Sequence, residues 1–225
     1  MPGVLYLVAT PIGNYGDITF RALDVLRSVD LVVYEERREG ERLLKHYDIH
    51  KPVESLNEHN EAAASHVILS LLSSGRNVAL VSDAGTPVFA DPGQLLVQKV
   101  IERGIRVVPI PGASSLLPAL IVSGFSLDSF LFYGWLPPKK ERRRAELQTL
   151  LQERRTVVLM DTPYRLLPLL RDVAELAGGS RRICVAFNLT LPDEEIFRGS
   201  AAEVYKRLTA RQTKGEFVLV IKGRG

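Results

Sequence analysis

Three short segments hold the residues whose chemistry stands out. They are Thr10-Pro11-Ile12-Gly13-Asn14, Ser82-Asp83-Ala84-Gly85-Thr86-Pro87 and Pro109-Ile110-Pro111-Gly112-Ala113-Ser114-Ser115. All three are rich in glycine, proline and hydroxyls, so main chain can approach a ligand closely and offer its N–H and C=O groups directly. Glycine and proline also punctuate ordinary turns. Here, however, each segment follows an apolar, β-branched run, at residues 4–9, 78–81 and 106–110. Ligands of open α/β sheets lie beyond the carboxyl ends of the strands, so three such loops in one half of the chain read as a ligand cradle. Neither a triphosphate-binding loop ending in Gly-Lys-Ser/Thr nor a Gly-x-Gly-x-x-Gly fingerprint is present. The loops carry Asp83 and no nearby Lys or Arg, which is wrong for a polyphosphate. An adenosyl ligand with a positive sulfonium fits better, because carbonyls and a carboxylate tolerate that charge.

The elements that must position these loops alternate β-branched runs with helical patterns, the mark of an α/β protein with a largely parallel sheet. Strands are predicted at 4–9, 31–34, 78–81 and 106–110. Between them a helix opens at Asp17 as N-cap, another spans 58–74 before Gly75, and a third begins near Asp91-Pro92. The pattern restarts around 125–128, with strands at 130–133, 156–160, 182–187 and 217–221 and helices at 141–152, 163–176 and 201–208. Two domains, 1–120 and 121–225, follow from that restart. The longest uncharged stretch, 107–127, contains Pro109, Pro111, Pro118, Gly112 and Gly124; it reads as strand, loop and buried helix rather than a membrane span.

Composition narrows the class. Hydrophobic residues make up 46% and charged residues 24%, the balance of a soluble globular protein. The single cysteine, Cys184, excludes a disulfide scaffold and reads as strand core. His46, His50, His59 and His66 lack metal-ligand spacing, so no metal is expected. The first residues carry no basic leader, which points to the cytosol. Net charge is +3, with Lys139, Lys140, Arg142, Arg143 and Arg144 crowded together. Such a cluster touches nucleic-acid phosphates or is simply a solvated face.

The segments VATPIGNYGDITFRALDVL, NEHNE, VALVSDAGTPVFADPG, RVVPIPGASS and KGEFVLVI together resemble the tetrapyrrole methylase superfamily, over nearly all of residues 3–222. Within it they look like the branch that 2′-O-methylates a cytidine ribose in small-subunit ribosomal RNA. The resemblance implies two α/β domains, S-adenosylmethionine bound between them, and usually a homodimer. It points to Pro11 and Gly13, to Asp83, Ala84 and Gly85, and to Ser114 and Ser115 as cofactor contacts. From the second domain it adds Met160, Asn188 and Gly215. The chain departs from the family pattern in three places. Tyr34-Glu35-Glu36-Arg37-Arg38 stands where AEDTR is usual, Thr162-Pro163-Tyr164-Arg165 where SPHR is usual, and Phe187-Asn188-Leu189-Thr190 replaces an RELT-like segment.

Methyl transfer from a sulfonium is an in-line displacement, for which the protein supplies proximity and orientation. A ribose hydroxyl is a poor nucleophile, so a general base helps; Glu36, Glu58 and His59 are the candidates, each equally at home as a helix-start residue. Arg37, Arg38, Asn60, Arg165 and the 139–144 cluster, Lys139 and Lys140 above all, are the expected RNA contacts. Tyr34 and Tyr164 either stack on a flipped base or are partly buried at element ends. Trp135 reads as a domain-interface residue. Two other readings stay open at this level. One is a carbon methylase of a porphyrin- or corrin-like macrocycle, whose relatives usually show GxGPGD and GDP where this chain has TPIGN and SDAGTP. The other is an RNA-binding protein that keeps a cofactor site without catalysis.

Overall fold

The structure, a computed structural model, describes residues 1–211 and 214–224. The chain divides into two compact units, the first being Met1–Ser114 and the second beginning at Ser115.

In the first unit the strands β1 (Val4–Val8), β2 (Leu31–Tyr34), β3 (Val53–Ser55), β4 (Val78–Val81) and β5 (Arg106–Ile110) alternate with helices α1 (Phe20–Ser28), α2 (Arg37–His46), α3 (Glu61–Ser73) and α4 (Gln94–Glu102). The sheet order is β3-β2-β4-β1-β5 and every pairing is parallel. Parallel strands need crossovers, and the helices cover both faces. Successive strand residues therefore feed opposite cores. Val33, Val78 and Leu80 pack with Ile68, Leu72, Leu96 and Val100 of α3 and α4, whereas Val32, Ala79 and Val81 pack with Ala22 and Leu26 of α1.

Local chemistry sets several boundaries differently from the sequence pattern. Asp17 does not cap α1. It lies in a single 3-10 turn, Tyr15–Asp17, started by Asn14, whose side chain accepts the Gly16 N–H at 2.9 Å. The α1 cap is Thr19, whose Oγ1 accepts the Ala22 N–H at 3.1 Å. α2 and β3 carry no periodic signal: α2 has two buried apolar side chains, Leu43 and Leu44. It packs instead through Gly40, where an added Cβ would lie 2.1 Å from the Tyr34 ring.

The second unit contains α5 (Leu116–Ser123), β6 (Phe130–Gly134), α6 (Lys140–Leu150), β7 (Thr156–Asp161), α7 (Leu166–Leu176), β8 (Arg182–Phe187), β9 (Glu195–Ser200), α8 (Ala201–Arg211) and β10 (Phe217–Ile221). Its order is β6-β7-β10-β8-β9, and here the expectation of a largely parallel sheet fails. Only β6 and β7 run parallel; the other three pairings are antiparallel. The loop between β8 and β9 is too short for a crossover, which forces that pair antiparallel. α5 covers one face with Ala119 and Leu120. α6, α7 and α8 cover the other, around Leu147, Leu166, Leu170 and Leu208. α5 is not buried all round: Leu117 and Ile121 on its outer side are 58% and 66% exposed. Among the described residues no helix is long and apolar enough to cross a membrane.

Candidate functional site

The sheet order places β1 between β4 and β5, so the three small-residue loops emerge side by side. They are also bonded to one another. The Thr10 N–H donates to the Gly85 carbonyl at 2.9 Å and the Gly85 N–H returns a bond to the Thr10 carbonyl at 3.1 Å. The Thr10 hydroxyl donates to the Ser82 carbonyl at 2.9 Å, and the Ala9 N–H to the Ile110 carbonyl at 3.1 Å. Thr86 completes the set by donating to the Ala113 carbonyl at 3.4 Å.

Glycine is required at two points in this cluster. Gly85 has φ +87°, a conformation that L side chains rarely adopt, and an added Cβ would sit 3.2 Å from Ile12. A Cβ on Gly112 would lie 3.0 Å from that of Ala9. Pro11 is buried beneath the cluster, while Gly13 and Ala84 are exposed at its rim. Ser82 holds Ala84 by a pair of bonds, donating to its carbonyl at 3.1 Å and accepting its N–H at 3.2 Å. Ser114 and Ser115 are half-buried where the third loop enters α5, with Ser115 as the N-cap residue.

Carboxylates border the cluster. Asp83 accepts the Glu36 N–H at 3.1 Å, tying the end of β2 to the β4 loop. Burial raises Asp83, against the opposing pull of that hydrogen bond, and burial raises Asp91 as well, opposed by a bond from Ser82. Glu35 is pushed up to about 7, first by burial and then by the neighbouring charges of Asp91, Asp83, Glu36 and Glu58. Glu35 is not among the candidate bases that the sequence suggests, although it directly follows the apolar run 31–34, close behind a strand as the three loops are.

The three predicted bases differ from it. Glu36 is exposed. Glu58 and His59 are 82% and 85% exposed and lie 3.5 Å apart, facing solvent. Asn60 is occupied locally: its Oδ1 accepts the Asn57 N–H at 2.7 Å, and its Nδ2 donates to the Ser55 carbonyl at 3.0 Å, fixing the entry to α3. Arg37 and Arg38 are exposed at the start of α2, with Arg37 paired to Glu41 at 2.7 Å. Tyr34 is 2% exposed under Gly40. It is core, not a stacking surface.

In the second unit, Met160, Asn188 and Gly215 gather at one end of the sheet. Met160 lies opposite Val218, and Phe217 pairs with both Asp161 and Phe187, so the ends of β7, β10 and β8 are adjacent. Asn188, buried with φ +47°, donates from Nδ2 to Asp193 at 2.7 Å. A Cβ on Gly215 would strike its Oδ1 at 2.2 Å.

The basic residues of this unit are largely engaged in structure. Arg165 lies 3.2 Å from Asp161 and donates from Nη2 to the carbonyls of Leu136 and Pro137, both at 2.9 Å. It holds a turn rather than reaching solvent as a phosphate contact. Arg143 is buried, and together with Arg144 it clasps the wholly buried Asp172 at 2.9 and 2.6 Å. Of the 139–144 cluster, Lys139, Lys140 and Arg142 remain exposed. Tyr164 is 73% exposed with the Lys214 ammonium 3.8 Å above its ring. Trp135 is half-exposed, and Cys184 is buried in β8, its thiol pushed up to about 11 by burial.

The family model of the tetrapyrrole (corrin/porphyrin) methylases matches residues 4–205. The chain belongs to this family. Curated relatives named ribosomal RNA small subunit methyltransferase I include one from Synechocystis, 46% identical over 221 residues, covering 98% of this chain and 79% of the relative. Another, from Bacillus subtilis, is 43% identical over 221 residues, covering 98% and 75%. Solved structures share the fold. A diphthine synthase superposes with a TM-score of 0.73 at 15% identity, covering 98% of this methylase and 90% of that chain. A cobalt precorrin-4 methyltransferase of cobalamin biosynthesis gives 0.69 at 18% identity, covering 97% and 94%.

Proposed function

We propose that the protein is an S-adenosylmethionine-dependent methyltransferase that 2′-O-methylates a cytidine ribose in small-subunit ribosomal RNA. The mutual bonding of Thr10 and Gly85 carries the cofactor half of this reading, because it gathers three main-chain-rich loops into one cradle. The relatives' shared name supports small-subunit ribosomal RNA as the acceptor, and the cytidine 2′-hydroxyl follows from the resemblance carried by the sequence segments. The residues present fit the cofactor: the loops pack so closely that a Cβ at Gly85 would meet Ile12 and one at Gly112 would meet Ala9, which leaves main chain at the surface, and Asp83 is the cluster's charged side chain, matching a sulfonium. Once bound, the cofactor supplies an electrophilic methyl group.

The chain's own part is orientation and proton handling. Exposed main chain of Gly13, Ala84 and Gly112 grips the adenosyl portion, with Pro11, Gly85, Ser114 and Ser115 shaping the walls. On the second unit the same reading assigns Met160, Asn188 and Gly215 to the cofactor. Glu35 serves as acceptor for the hydroxyl proton: held near 7, a carboxylate releases and takes up protons at working pH, whereas Glu36, Glu58 and His59 are solvated. Arg37, Arg38, Lys139 and Lys140 meet phosphate. We read the enzyme as a cytoplasmic homodimer, and the exposed Leu117 and Ile121 of α5 suit burial against a second copy.

Transfer of a labelled methyl group from the cofactor to protein-free ribosomal RNA, isolated small subunits and precorrin, run in parallel, tests this. Label in ribose of either RNA sample supports the reading. Label in the macrocycle alone replaces it with carbon methylation, and stabilisation by S-adenosylhomocysteine without any transfer replaces it with non-catalytic RNA binding.

A further inference from the structure

α2 turns two ridges to solvent. Arg37, Glu41 and Lys45 form one, and Arg38, Arg42 and His46 the other, each at i, i+4, i+8 spacing. Arg37, Arg38, Arg42 and Lys45 line a recess of about 550 Å³ in which Glu41 is the sole carboxylate. That recess adjoins a second of about 870 Å³, which shares Glu41 and Lys45 and adds Asp48, His50 and Lys51, with His50 3.8 Å from Asp48. Within the first recess four cations face one carboxylate. Glu41 pairs with Arg37 at 2.7 Å and Glu39 with Arg42 at 3.5 Å, so the four cations still outnumber the carboxylates they meet.

The stripe ends on aromatic groups. Tyr15 stacks on His46 with centroids 3.9 Å apart and planes within 15°, and the Arg42 guanidinium lies 5.9 Å over the Tyr15 ring. Tyr15 follows directly on the first cofactor loop, and its carbonyl accepts a bond from the Tyr47 hydroxyl at 2.5 Å. A basic groove with aromatic rings at its end is the arrangement that follows a single-stranded nucleic-acid backbone and stacks an unpaired base. Arg38 and Arg42, four residues apart on one ridge, lie about 6 Å apart along the helix, a spacing suited to neighbouring phosphates.

We propose that α2 and the turn after it form the track for the phosphodiester backbone of the acceptor RNA, with phosphates on Arg38, Arg42, Lys45 and Lys51. The track rests on the RNA reading above and deepens it. It also shifts the main electrostatic contact away from residues 139–144, where Arg143 and Arg144 are held by Asp172.

The test measures binding of protein-free small-subunit ribosomal RNA over a salt series, for wild type, Arg42→Glu with Lys45→Glu, Arg42→Gln with Lys45→Gln, Glu41→Gln, and Lys139→Glu with Lys140→Glu. The thermal shift given by S-adenosylhomocysteine reports on folding and on the cofactor site. The charge-reversed α2 pair is expected to bind at least tenfold more weakly, with a salt slope shallower by about 1 to 2. The glutamine pair should show a smaller loss and Glu41→Gln a gain of about twofold, all with the ligand-induced shift retained. Wild-type affinity and slope in both α2 pairs overturn the track, most directly if the 139/140 reversal alone weakens binding. Wild type that binds no RNA overturns the acceptor reading and the track together.

Discussion

Thr10 and Gly85, which lie in separate loops, exchange both main-chain hydrogen bonds, at 2.9 and 3.1 Å, and so form a one-rung ladder beyond the ends of β1 and β4. A rung of this kind fixes the distance between two loops while leaving their outer edges free for a ligand. It also depends on Gly85 holding φ +87°. Substitution there should therefore disturb binding and stability together.

Gly85→Ala is expected to destabilise the protein by roughly 1–2 kcal/mol, the cost of an L side chain at positive φ. Gly85→Val should cost more, since a branched side chain meets Ile12. Chemical denaturation measures the loss, and calorimetric titration with S-adenosylhomocysteine should show a parallel fall in affinity. A variant of wild-type stability and affinity contradicts the role given to the rung.

Asp83→Asn separates charge from shape. The amide still accepts the Glu36 N–H through Oδ1, so the loop junction is kept. Affinity for the cationic S-adenosylmethionine should drop about tenfold, or ~1.4 kcal/mol, with little change for the uncharged thioether product. Equal losses for both ligands count against an electrostatic role.

Glu35 makes stability depend on pH. In the unfolded chain it titrates near 4.5, and in the folded protein near 7. The native state thus holds the proton more tightly, and its contribution is complete below 4.5 and lost as pH rises through 7. Asp83 and Asp91, raised mainly by burial, act in the same direction. Glu35→Gln should gain on wild type as pH goes from 5 to 8, by about 1 kcal/mol once solvent screening is allowed for. Thermal unfolding at several pH values checks it; a constant difference across that range refutes it. If Glu35 accepts the hydroxyl proton, the same variant should also lose the acid limb of the methyl-transfer rate profile.

Asp172→Ala removes the partner of two guanidinium groups, one of them buried. An uncompensated buried Arg143 should cost about 3–5 kcal/mol. Replacing Asp172, Arg143 and Arg144 together by apolar residues of similar volume should restore much of it. Urea denaturation of both variants decides the matter.

The clustering of the three loops was legible because sequence signal and position coincide: Gly-Pro-hydroxyl loops directly follow the apolar runs that become β1, β4 and β5. Four of the first unit's five strands, all but β3, were legible for the same reason, since residues such as Val78, Ala79, Leu80 and Val81 form apolar runs that are buried. α2 escaped because its packing rests on Gly40 against Tyr34 instead of an apolar stripe. β9 escaped because it is only six residues long and sets its buried residues, Phe197 and Gly199, among the charged Glu195 and Arg198 with no sustained apolar run. The 139–144 cluster was misleading as a block of charge. Its inward member was visible in the spacing, as Arg143, Leu147 and Leu150 share one helical face. Arg165 gave no such hint, because its carbonyl partners Leu136 and Pro137 lie far away in the chain.

The placement of β10 bears on how the polypeptide acquires its shape during synthesis. The first unit's sheet has all its strands once Ile110 has been made, and its order lets it condense while translation continues. In the second unit the central position between β7 and β8 belongs to a strand made after both of them. Until residue 221 leaves the ribosome, β7 and β8 wait with bare edges flanking a gap. That interval, with apolar strands unpaired, is when a nascent chain is most open to aggregation or to a chaperone.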